Sequence, residues 1–238
     1  MSGPVRHRRP FRRLLGRAAI AAAALALTGT LAMALQLRQV RVLGARRFPA
    51  RDIESVLRPA LGSPTITARA AALRAMVRAV PWVADASVRV SLDGVVTCSV
   101  EERLPVAVAL DSGTRRLVDR DGRVLGSAGE AASPLLELDG FGPYPEERQT
   151  FLGAVATLER AWGGTLERAE RVAPHDVALH FRGADLPVLA DPERPEALAV
   201  ARRVLAAWTA GQPAPLRLDA RVAGRVAVLP ATPAPEEE

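Results

Sequence analysis

Apolar residues in the stretch 38–103 follow two different spacings. Val40 and Val42 alternate with polar residues, a pattern that predicts a half-buried strand. Helical spacing follows in two segments, whose apolar positions are Ile53, Val56, Leu57 and Leu61, then Leu73, Met76, Val77 and Val80, with Thr67 as the expected N-cap of the second helix. Alternation returns on both sides of Asp93-Gly94, which predicts a β-hairpin. This order predicts a small α+β domain with two helices on a three-stranded sheet.

The stretch 105–229 has the pattern of a mainly β domain that contains two helices. Strands are predicted at 106–110, 115–119 and 135–138, and again through Val177, Leu179 and Phe181. Helical spacing occurs at Phe151, Val155, Leu158 and Trp162, and at Ala201, Val204, Leu205 and Trp208. A late strand with one apolar face is predicted by alternation at Leu216, Leu218, Ala220 and Val222.

A window of twenty residues, 18–37, contains no Asp, Glu, Lys or Arg. Twenty helical residues span about 30 Å, the thickness of the hydrocarbon core of a bilayer. Basic residues crowded at one end of such a span stay in the cytoplasm. The orienting residues are Arg8, Arg9, Arg12, Arg13 and Arg17. The window therefore predicts a single-pass membrane protein with a short cytoplasmic tail and most of its residues outside.

The same window is open to a second interpretation. A basic start, an apolar run and Ala32-Met33-Ala34 also resemble a signal peptide with a cleavage site. The apolar run continues past this site through Leu35 and Leu37, which favours a retained anchor. Both interpretations place the rest of the chain outside the cytoplasm.

The formal net charge of +6 belongs to the start of the chain. Residues 1–37 hold six arginines and no acid, so the remaining residues carry 26 basic and 26 acidic side chains. A basic tail suits the anionic headgroups of membrane lipid. Such a short tail without a fold is a weak basis for binding nucleic acid, and no nucleic-acid partner is expected.

The polar residues do not form a pattern that predicts catalysis. Three histidines lack metal-ligand spacing: His7, His175 and His180. Glu101 and Glu102 are neighbours on a strand, so their side chains point to opposite faces. Cys98, the single cysteine, alternates with valines and is expected to be a buried strand residue. We therefore expect no catalytic residue, no metal site, no cofactor and no small-molecule substrate.

Short motifs resemble the POTRA domain of the FtsQ/DivIB cell-division proteins. The first consists of Pro81, Trp82 and Val83, and in that family a Pro-Trp-Val step leads into a strand of the POTRA domain. The second runs from Glu102 through Pro105, and a Glu-x-x-Pro-x-Ala step leaves the POTRA domain in that family. A third motif, Leu117-Val118-Asp119-x-Asp121-Gly122, resembles the hairpin that opens the family's second domain.

The resemblance implies a function as well as a fold. Proteins of this family are non-enzymatic scaffolds of the bacterial divisome that dock FtsB- and FtsL-type partners and regulate septal peptidoglycan synthesis. A late strand of their β domain holds these partners by strand addition. Carried onto this chain, the strand corresponds to Arg221, Val222, Gly224, Arg225, Val226 and Val228. Contacts between the POTRA domain and other divisome members are also implied, with the first strand and helix as their place.

The expected organisation has five segments. They are a cytoplasmic basic tail at 1–17, a transmembrane helix at 18–37, a POTRA domain at 38–104, an FtsQ-type β domain at 105–229 and a disordered tail at 230–238. The expected location is the cytoplasmic membrane, with enrichment at the division septum. Two other classes remain open, a POTRA-bearing component of envelope transport or secretion and a cleaved, soluble extracytoplasmic protein. The first normally carries repeated POTRA units and the second needs a catalytic polar cluster, and neither is visible in the sequence.

Overall fold

The computed structural model describes residues 19–26, 29–30, 35–65, 67–111, 113–129, 135–208, 215–222 and 224–230. The fold is mixed α+β, as the sequence predicts. The chain divides into two compact units, Met1–Glu102 and Arg103–Glu238. Each unit has a hydrophobic core of its own.

The predicted membrane segment is described only in part. Residues 19–26 and 29–30 are helical. Residues 35–37 are not, because Leu37 is buried in the core of the first unit, so the prediction of a transmembrane helix as far as residue 37 is wrong at this end. In the part of the chain that the structure describes, no helix is both long and apolar enough to cross a bilayer. The predicted basic tail, with Arg8, Arg9, Arg12, Arg13 and Arg17, and the predicted tail from residue 231 onwards lie outside the described residues.

The first unit places two helices on a three-stranded sheet. In chain order its elements are β1 (Gln39–Leu43), α1 (Ala50–Leu57), a 3-10 turn (Arg58–Ala60), α2 (Ala70–Arg78), β2 (Val83–Val90) and β3 (Val95–Glu102). The strand order is β1-β3-β2, with β1 parallel and β2 antiparallel to the central β3. Two helices against three strands is the arrangement that the sequence predicts.

The core of the first unit is built by one face of each helix and one face of the sheet. Ile53 and Leu57 of α1 and Leu73 and Val77 of α2 are at most 5% exposed, because their helical spacing turns them the same way. Cys98 in β3 is fully buried in the same cluster, as predicted. Burial raises the pKa of its thiol, which keeps the sulfur protonated and unreactive.

The helix ends differ from the prediction in two places. Thr67 is not the N-cap of α2, which begins at Ala70; its Oγ1 donates instead to the carbonyl oxygen of Pro64 at 3.0 Å. This local hydrogen bond competes with capping. α1 ends at Leu57 and passes into the 3-10 turn, because Pro59 has no N–H for a further helical hydrogen bond. The helical spacing predicted for Leu61 therefore does not hold.

Glu102, at the end of β3, holds the loop that follows β1. Its Oε1 accepts hydrogen bonds from the backbone N–H groups of Arg46 at 2.5 Å and Arg47 at 2.7 Å. Burial raises the pKa of this carboxyl, but hydrogen bonds from the N–H groups of Arg47, Arg46 and Phe48 outweigh burial and leave the pKa below its ordinary value. One side chain near the end of the first unit thus satisfies backbone donors near its beginning.

The second unit is a nine-stranded sheet with two helices. Its strands are β4 (Pro105–Asp111), β5 (Thr114–Asp119), β6 (Val124–Ser127), β7 (Leu136–Asp139), β8 (Leu166–Ala173), β9 (Asp176–Phe181), β10 (Val188–Ala190), β11 (Pro215–Asp219) and β12 (Ala227–Pro230). Its helices are α3 (Pro145–Trp162) and α4 (Glu196–Ala206). The strand order is β12-β11-β10-β9-β8-β7-β4-β5-β6, so β12 and β6 are the outermost described strands.

Both helices share one hydrophobic cluster with the sheet. Leucines from both helices and from three strands are fully buried in it: Leu138, Leu158, Leu179, Leu198 and Leu218. Phe141 lies 4.6 Å from Phe151 between ring centroids, and Trp162 stacks on Phe181 at 4.9 Å. The two pairs connect α3 to the strand region, so four aromatic residues hold the longer helix against the sheet.

Three strands of this sheet are missing from the prediction, namely β6, β8 and β10. The two buried positions of β8, Leu166 and Ala169, are three residues apart, because shifts in its register with β9 interrupt the alternation. Its remaining residues are mostly charged. β10 has only three residues, all buried, which is too short for a period to be visible.

A buried arginine joins the turn between β5 and β6 to the start of α3. The guanidinium of Arg148 donates to the carbonyl oxygens of Gly122 at 2.8 Å, Gly142 at 2.5 Å and Pro143 at 3.2 Å. Burial lowers the pKa of Arg148, yet a guanidinium stays protonated in proteins. Gly122 permits the approach, because its φ is +75° and a Cβ there would overlap the carbonyl oxygen of Pro145.

Replacing Glu102 by Gln should lower the free energy of unfolding at neutral pH by about 1 kcal/mol, because an amide oxygen is a weaker acceptor than a carboxylate. The folded state lowers the pKa of Glu102, so the carboxylate stabilises it above the ordinary glutamate pKa of about 4.3. This contribution is lost as the pH falls through the lower, folded pKa. Urea unfolding from about pH 7 to about pH 3 should therefore show the difference between wild type and Glu102→Gln shrinking with acidification. A difference that is constant over this range would contradict the role of the charge.

Gly122→Ala should destabilise the second unit by about 3 kcal/mol, from the left-handed backbone and from overlap with Pro145 together. Gly183 is a matched control, because it has the same φ of +75° and open space where a Cβ would lie. Gly183→Ala should cost about 1 kcal/mol, from the backbone conformation alone. Denaturant unfolding measures both variants, and equal losses would show that the approach to Pro145 is not tight.

Candidate functional site

The predicted partner-binding residues lie around one edge of the large sheet. β12 pairs antiparallel with β11, with Leu218 opposite Val228 and Asp219 opposite Ala227. β11 pairs in turn with β10, in parallel. On its other side, β12 has no neighbouring strand among the described residues. The main-chain groups on that side are therefore placed to pair with a strand from another molecule.

Side chains at β12 divide between the core and the solvent. Val226, directly before the strand, and Val228 within it are half-buried and pack against the hydrophobic cluster of the second unit. Ala227 and Leu229 are exposed. The two valines thus anchor the edge strand to the core, and Leu229 is an exposed apolar side chain that a partner can contact.

Arg221 stabilises the end of β11 through hydrogen bonds to two carboxylates. Its Nε and Nη2 donate to the two carboxylate oxygens of Asp219, at 2.9 and 2.6 Å, and its Nη1 donates to Asp176 at 2.7 Å. Hydrogen bonds that Arg221 donates to Asp219 and Asp176 raise the pKa of Arg221, and the hydrogen bond from Arg221 lowers the pKa of Asp219. Because Asp176 begins β9, this Arg221 fork ties the end of β11 to a strand two places away in the sheet.

A cleft of about 540 Å³ lies beside the Arg221 fork. Its charged lining has both signs and comes from Asp176, Asp191, Asp219, Arg194, Arg221 and Arg225. Arg194 pairs with Asp191 at 3.6 Å, whereas Arg225 makes no ion pair with the described residues. Val222 and Ala227 complete the lining, so this mixed-charge cleft is continuous with the start of β12.

The final segment departs from the predicted alternation. Leu218 and Ala220 are buried as predicted, but Leu216 and Val222 are 59% and 57% exposed. The prediction of one continuous apolar face is therefore wrong. At Leu216 the register between β11 and β12 shifts, which interrupts the alternation. At Val222 the chain has already left β11, where the carboxylate of Asp219 binds the guanidinium of Arg221.

The six predicted partner-binding residues consequently fall in different places. Arg221 and Val222 lie directly after β11, and Gly224 and Arg225 lie in the turn that leads to β12. Val226 precedes β12, and Val228 is the one that lies within it. They share one edge of the sheet, although they are not one strand.

The Pro-Trp-Val motif leads into β2. Pro81 is exposed, and Trp82 is half-buried, with its ring stacked on that of Phe48 at 6.3 Å between centroids. Val83, the first residue of β2, is buried in the core of the first unit. Trp82 thus covers the rim of this core.

The second and third motifs are held by long-range polar contacts. Glu102 binds the loop after β1, and Pro105 is the first residue of β4. Asp119, which is buried, accepts a hydrogen bond from Arg103 at 2.6 Å, and Arg103 also donates to Asp121 at 2.9 Å. The buried carboxylate is therefore paired, as burial of a charge requires.

Asp176 is the residue of this site that the sequence does not identify. It precedes its partner Arg221 by 45 residues, and no local motif connects the two. The available signal is the alternation of Arg217, Asp219 and Arg221, which marks a charged surface without naming its partner.

The described residues contain no arrangement that would hold a metal ion with three or more His, Cys, Asp or Glu side chains. His180 is half-buried in β9, where burial and the nearby Arg168 lower its pKa. His175 is exposed in the turn before this strand, and His7 lies outside the described residues. What the site offers chemically is main-chain hydrogen bonding, an exposed leucine and a mixed-charge cleft.

Among the solved structures that match this chain is one from a bacterial cell-division protein. The major extracytoplasmic domain of the trans isomer of the cell-division protein DivIB from Geobacillus stearothermophilus matches 45% of this chain and 93% of that chain. The sequence identity is 20% and the TM-score is 0.32.

Comparison with known sequences identifies the first unit. A family model described as a POTRA domain of the FtsQ type matches residues 35–103, which contain β1 to β3. The cell division protein FtsQ from two strains of Caulobacter vibrioides is 34% identical over 103 residues, a match that covers 43% of this chain and 34% of each relative. The match thus spans about a third of the length of these curated relatives. The predicted resemblance is confirmed: residues 35–103 match the FtsQ-type POTRA family, and the chain is similar to the FtsQ/DivIB cell-division proteins.

Proposed function

We propose that this chain is a non-enzymatic, bitopic membrane scaffold of the bacterial divisome. It docks FtsB- and FtsL-type partners outside the cytoplasm and thereby regulates septal peptidoglycan synthesis. The observation that carries the proposal is the combination of an FtsQ-type POTRA domain with a second unit whose last strand, β12, is an open edge of a sheet.

The edge suits a partner that binds as an added strand. An added strand gains main-chain hydrogen bonds along β12, and side chains at alternate positions supply specificity. Leu229 provides an apolar contact, and Arg225 provides a cation that is not used by the described residues. The mixed-charge cleft lies at the start of the same strand, so an extended partner can contact both.

The membrane part of the proposal depends on the charge-free window 18–37. The five arginines before this window orient it with the N-terminus in the cytoplasm. Both compact units then lie outside, at the outer face of the cytoplasmic membrane. The proposed domain bounds, a POTRA domain at 38–104 and a β domain at 105–229, place β12 at the end of the exported part.

Val226→Pro should weaken binding of a purified FtsB–FtsL complex by about fivefold, because the ring removes an N–H directly before β12 and one main-chain hydrogen bond contributes about 1 kcal/mol. Isothermal calorimetry with the detergent-solubilised full chain measures the loss. Circular dichroism on the same sample verifies the fold.

Val124→Pro is the matched control for this variant. Val124 is half-buried, packs against the same hydrophobic cluster and opens β6, the opposite outermost strand. It should lose similar stability and keep wild-type affinity. Strand addition at β12 is refuted by full binding of a folded Val226→Pro protein, and general damage is indicated if both prolines abolish binding.

Arg221→Lys should weaken partner binding by about threefold and lower the free energy of unfolding by about 1 kcal/mol, because lysine cannot bridge two carboxylates with a planar fork. Arg225→Lys is the control, since Arg225 makes no ion pair with the described residues. It should leave the free energy of unfolding unchanged, because no ion pair with the described residues is lost. Calorimetry and urea unfolding measure both variants, and unchanged binding by Arg221→Lys would show that the partner does not need the turn held by the Arg221 fork.

A further inference from the structure

The last residues of the charge-free window are fixed inside the first unit by two loops. The carbonyl oxygen of Leu35 accepts a hydrogen bond from the N–H of Thr65 at 2.7 Å. On the other side, the N–H of Arg38 donates to the carbonyl oxygen of Gly94 at 2.8 Å. From residue 35 onwards the chain therefore runs between the loop that ends at Thr65 and the turn between β2 and β3.

Glycine allows the turn between β2 and β3 to lie this close. Gly94 has a φ of +86°, and a Cβ at this position would overlap the carbonyl oxygen of Gln36. The neighbouring Asp93 is occupied within the turn, where its Oδ1 accepts a hydrogen bond from the N–H of Val95 at 3.2 Å. Backbone contacts thus set the position of the turn against the end of the window.

Each of the two loops carries an exposed leucine. Leu92, at the turn between β2 and β3, is 77% exposed, and Leu61, in the other loop, is 37% exposed. Neither belongs to the hydrophobic cluster of the first unit. Both leucines lie beside the point where the window enters, so a bilayer that holds the window lies next to them.

On the exposed face of the three-stranded sheet, the sign of the charged side chains changes with distance from the point where the window enters. Arg41 of β1 and Arg89 of β2 flank Thr97 of β3 in one cross-strand row near the turn between β2 and β3. Asp85 and Glu101 form a row further along the strands, about 13 Å away for a rise of about 3.3 Å per residue. In these two rows the arginines lie towards the entry of the window and the carboxylates lie away from it, although Asp93 lies in the turn itself and Asp85 pairs with Arg74 of α2 at 2.8 Å.

We propose that this end of the POTRA domain is a membrane-contacting surface. Leu92 and Leu61 insert into the boundary between headgroups and acyl chains, and Arg41 and Arg89 lie near the phosphate groups of anionic lipid. The proposal rests on the proposed membrane anchor, whose last residues, 35–37, are held by the first unit, and it adds that the folded domain itself binds the bilayer. Contact through this surface fixes the orientation of the domain relative to the membrane.

A fluorescent label at position 92 tests this surface in the full chain reconstituted into lipid vesicles. Cys98 is fully buried, so the thiol of Leu92→Cys is the accessible one for an NBD label. Ser87→Cys is the matched control, exposed on β2 and about 16 Å from position 92 at about 3.3 Å per residue. Spin-labelled lipid should quench the label at 92 at least about threefold more strongly than the label at 87.

The experiment separates failure of the anchor from failure of the surface. Flotation with the vesicles, resistant to alkaline carbonate, reports the anchor. A chain that does not float contradicts the proposed anchor and this inference with it. A chain that floats, but whose label at 92 is quenched no more than the label at 87, contradicts the membrane-contacting surface alone.

The lipid composition tests the arginines. Vesicles of phosphatidylcholine with phosphatidylglycerol should give about twofold stronger quenching at 92 than phosphatidylcholine alone, and Arg41→Gln with Arg89→Gln should remove this gain. Neither arginine packs in the core, so the pair of substitutions should leave the fold intact. Equal quenching in both lipids would overturn the electrostatic part of the proposal.

Discussion

An open β-sheet leaves unpaired main-chain donors and acceptors along its outermost strands, and the second unit is organised around this constraint. Its outermost described strands, β12 and β6, have four residues each. Short edges limit indiscriminate pairing, because few hydrogen bonds are gained by any added strand. A partner needs further contacts beyond the strand, and at β12 the mixed-charge cleft lies where such contacts can form.

The first unit could be predicted closely because its signals are local. Helical spacing at Ile53, Leu57, Leu73 and Val77 was sufficient to place both helices on one core, and Asp93-Gly94 marked the hairpin. The errors concern helix ends, where one hydroxyl or one proline decides between nearly equal local structures. The functional role of Glu102 was not predictable, since its backbone partners lie more than fifty residues earlier in the chain.

The second unit could be predicted less well, for reasons of register and distance. β8 is mostly charged, and these residues pair with other elements, as Arg168 does with Asp139 and Arg171 with Glu147. A pattern of apolar residues cannot represent a strand that is held in part by such pairs. The same holds at the candidate site, where Asp176 and Arg221 meet only after the strands have assembled. The motifs predicted the class of protein, whereas the arrangement of residues around the edge strand β12 becomes apparent only in the folded structure.

Because Cys98 is buried, the reactivity of its thiol reports on the opening of the first unit. Its sulfur lies in the central strand, between two neighbouring strands, and the raised pKa of the thiol suppresses reaction in the closed state. Modification therefore requires opening of the sheet, so that its rate follows the population of opened molecules when closing is fast. A single native atom thus records the cooperative opening of one unit, separately from whatever happens at the edge of the other.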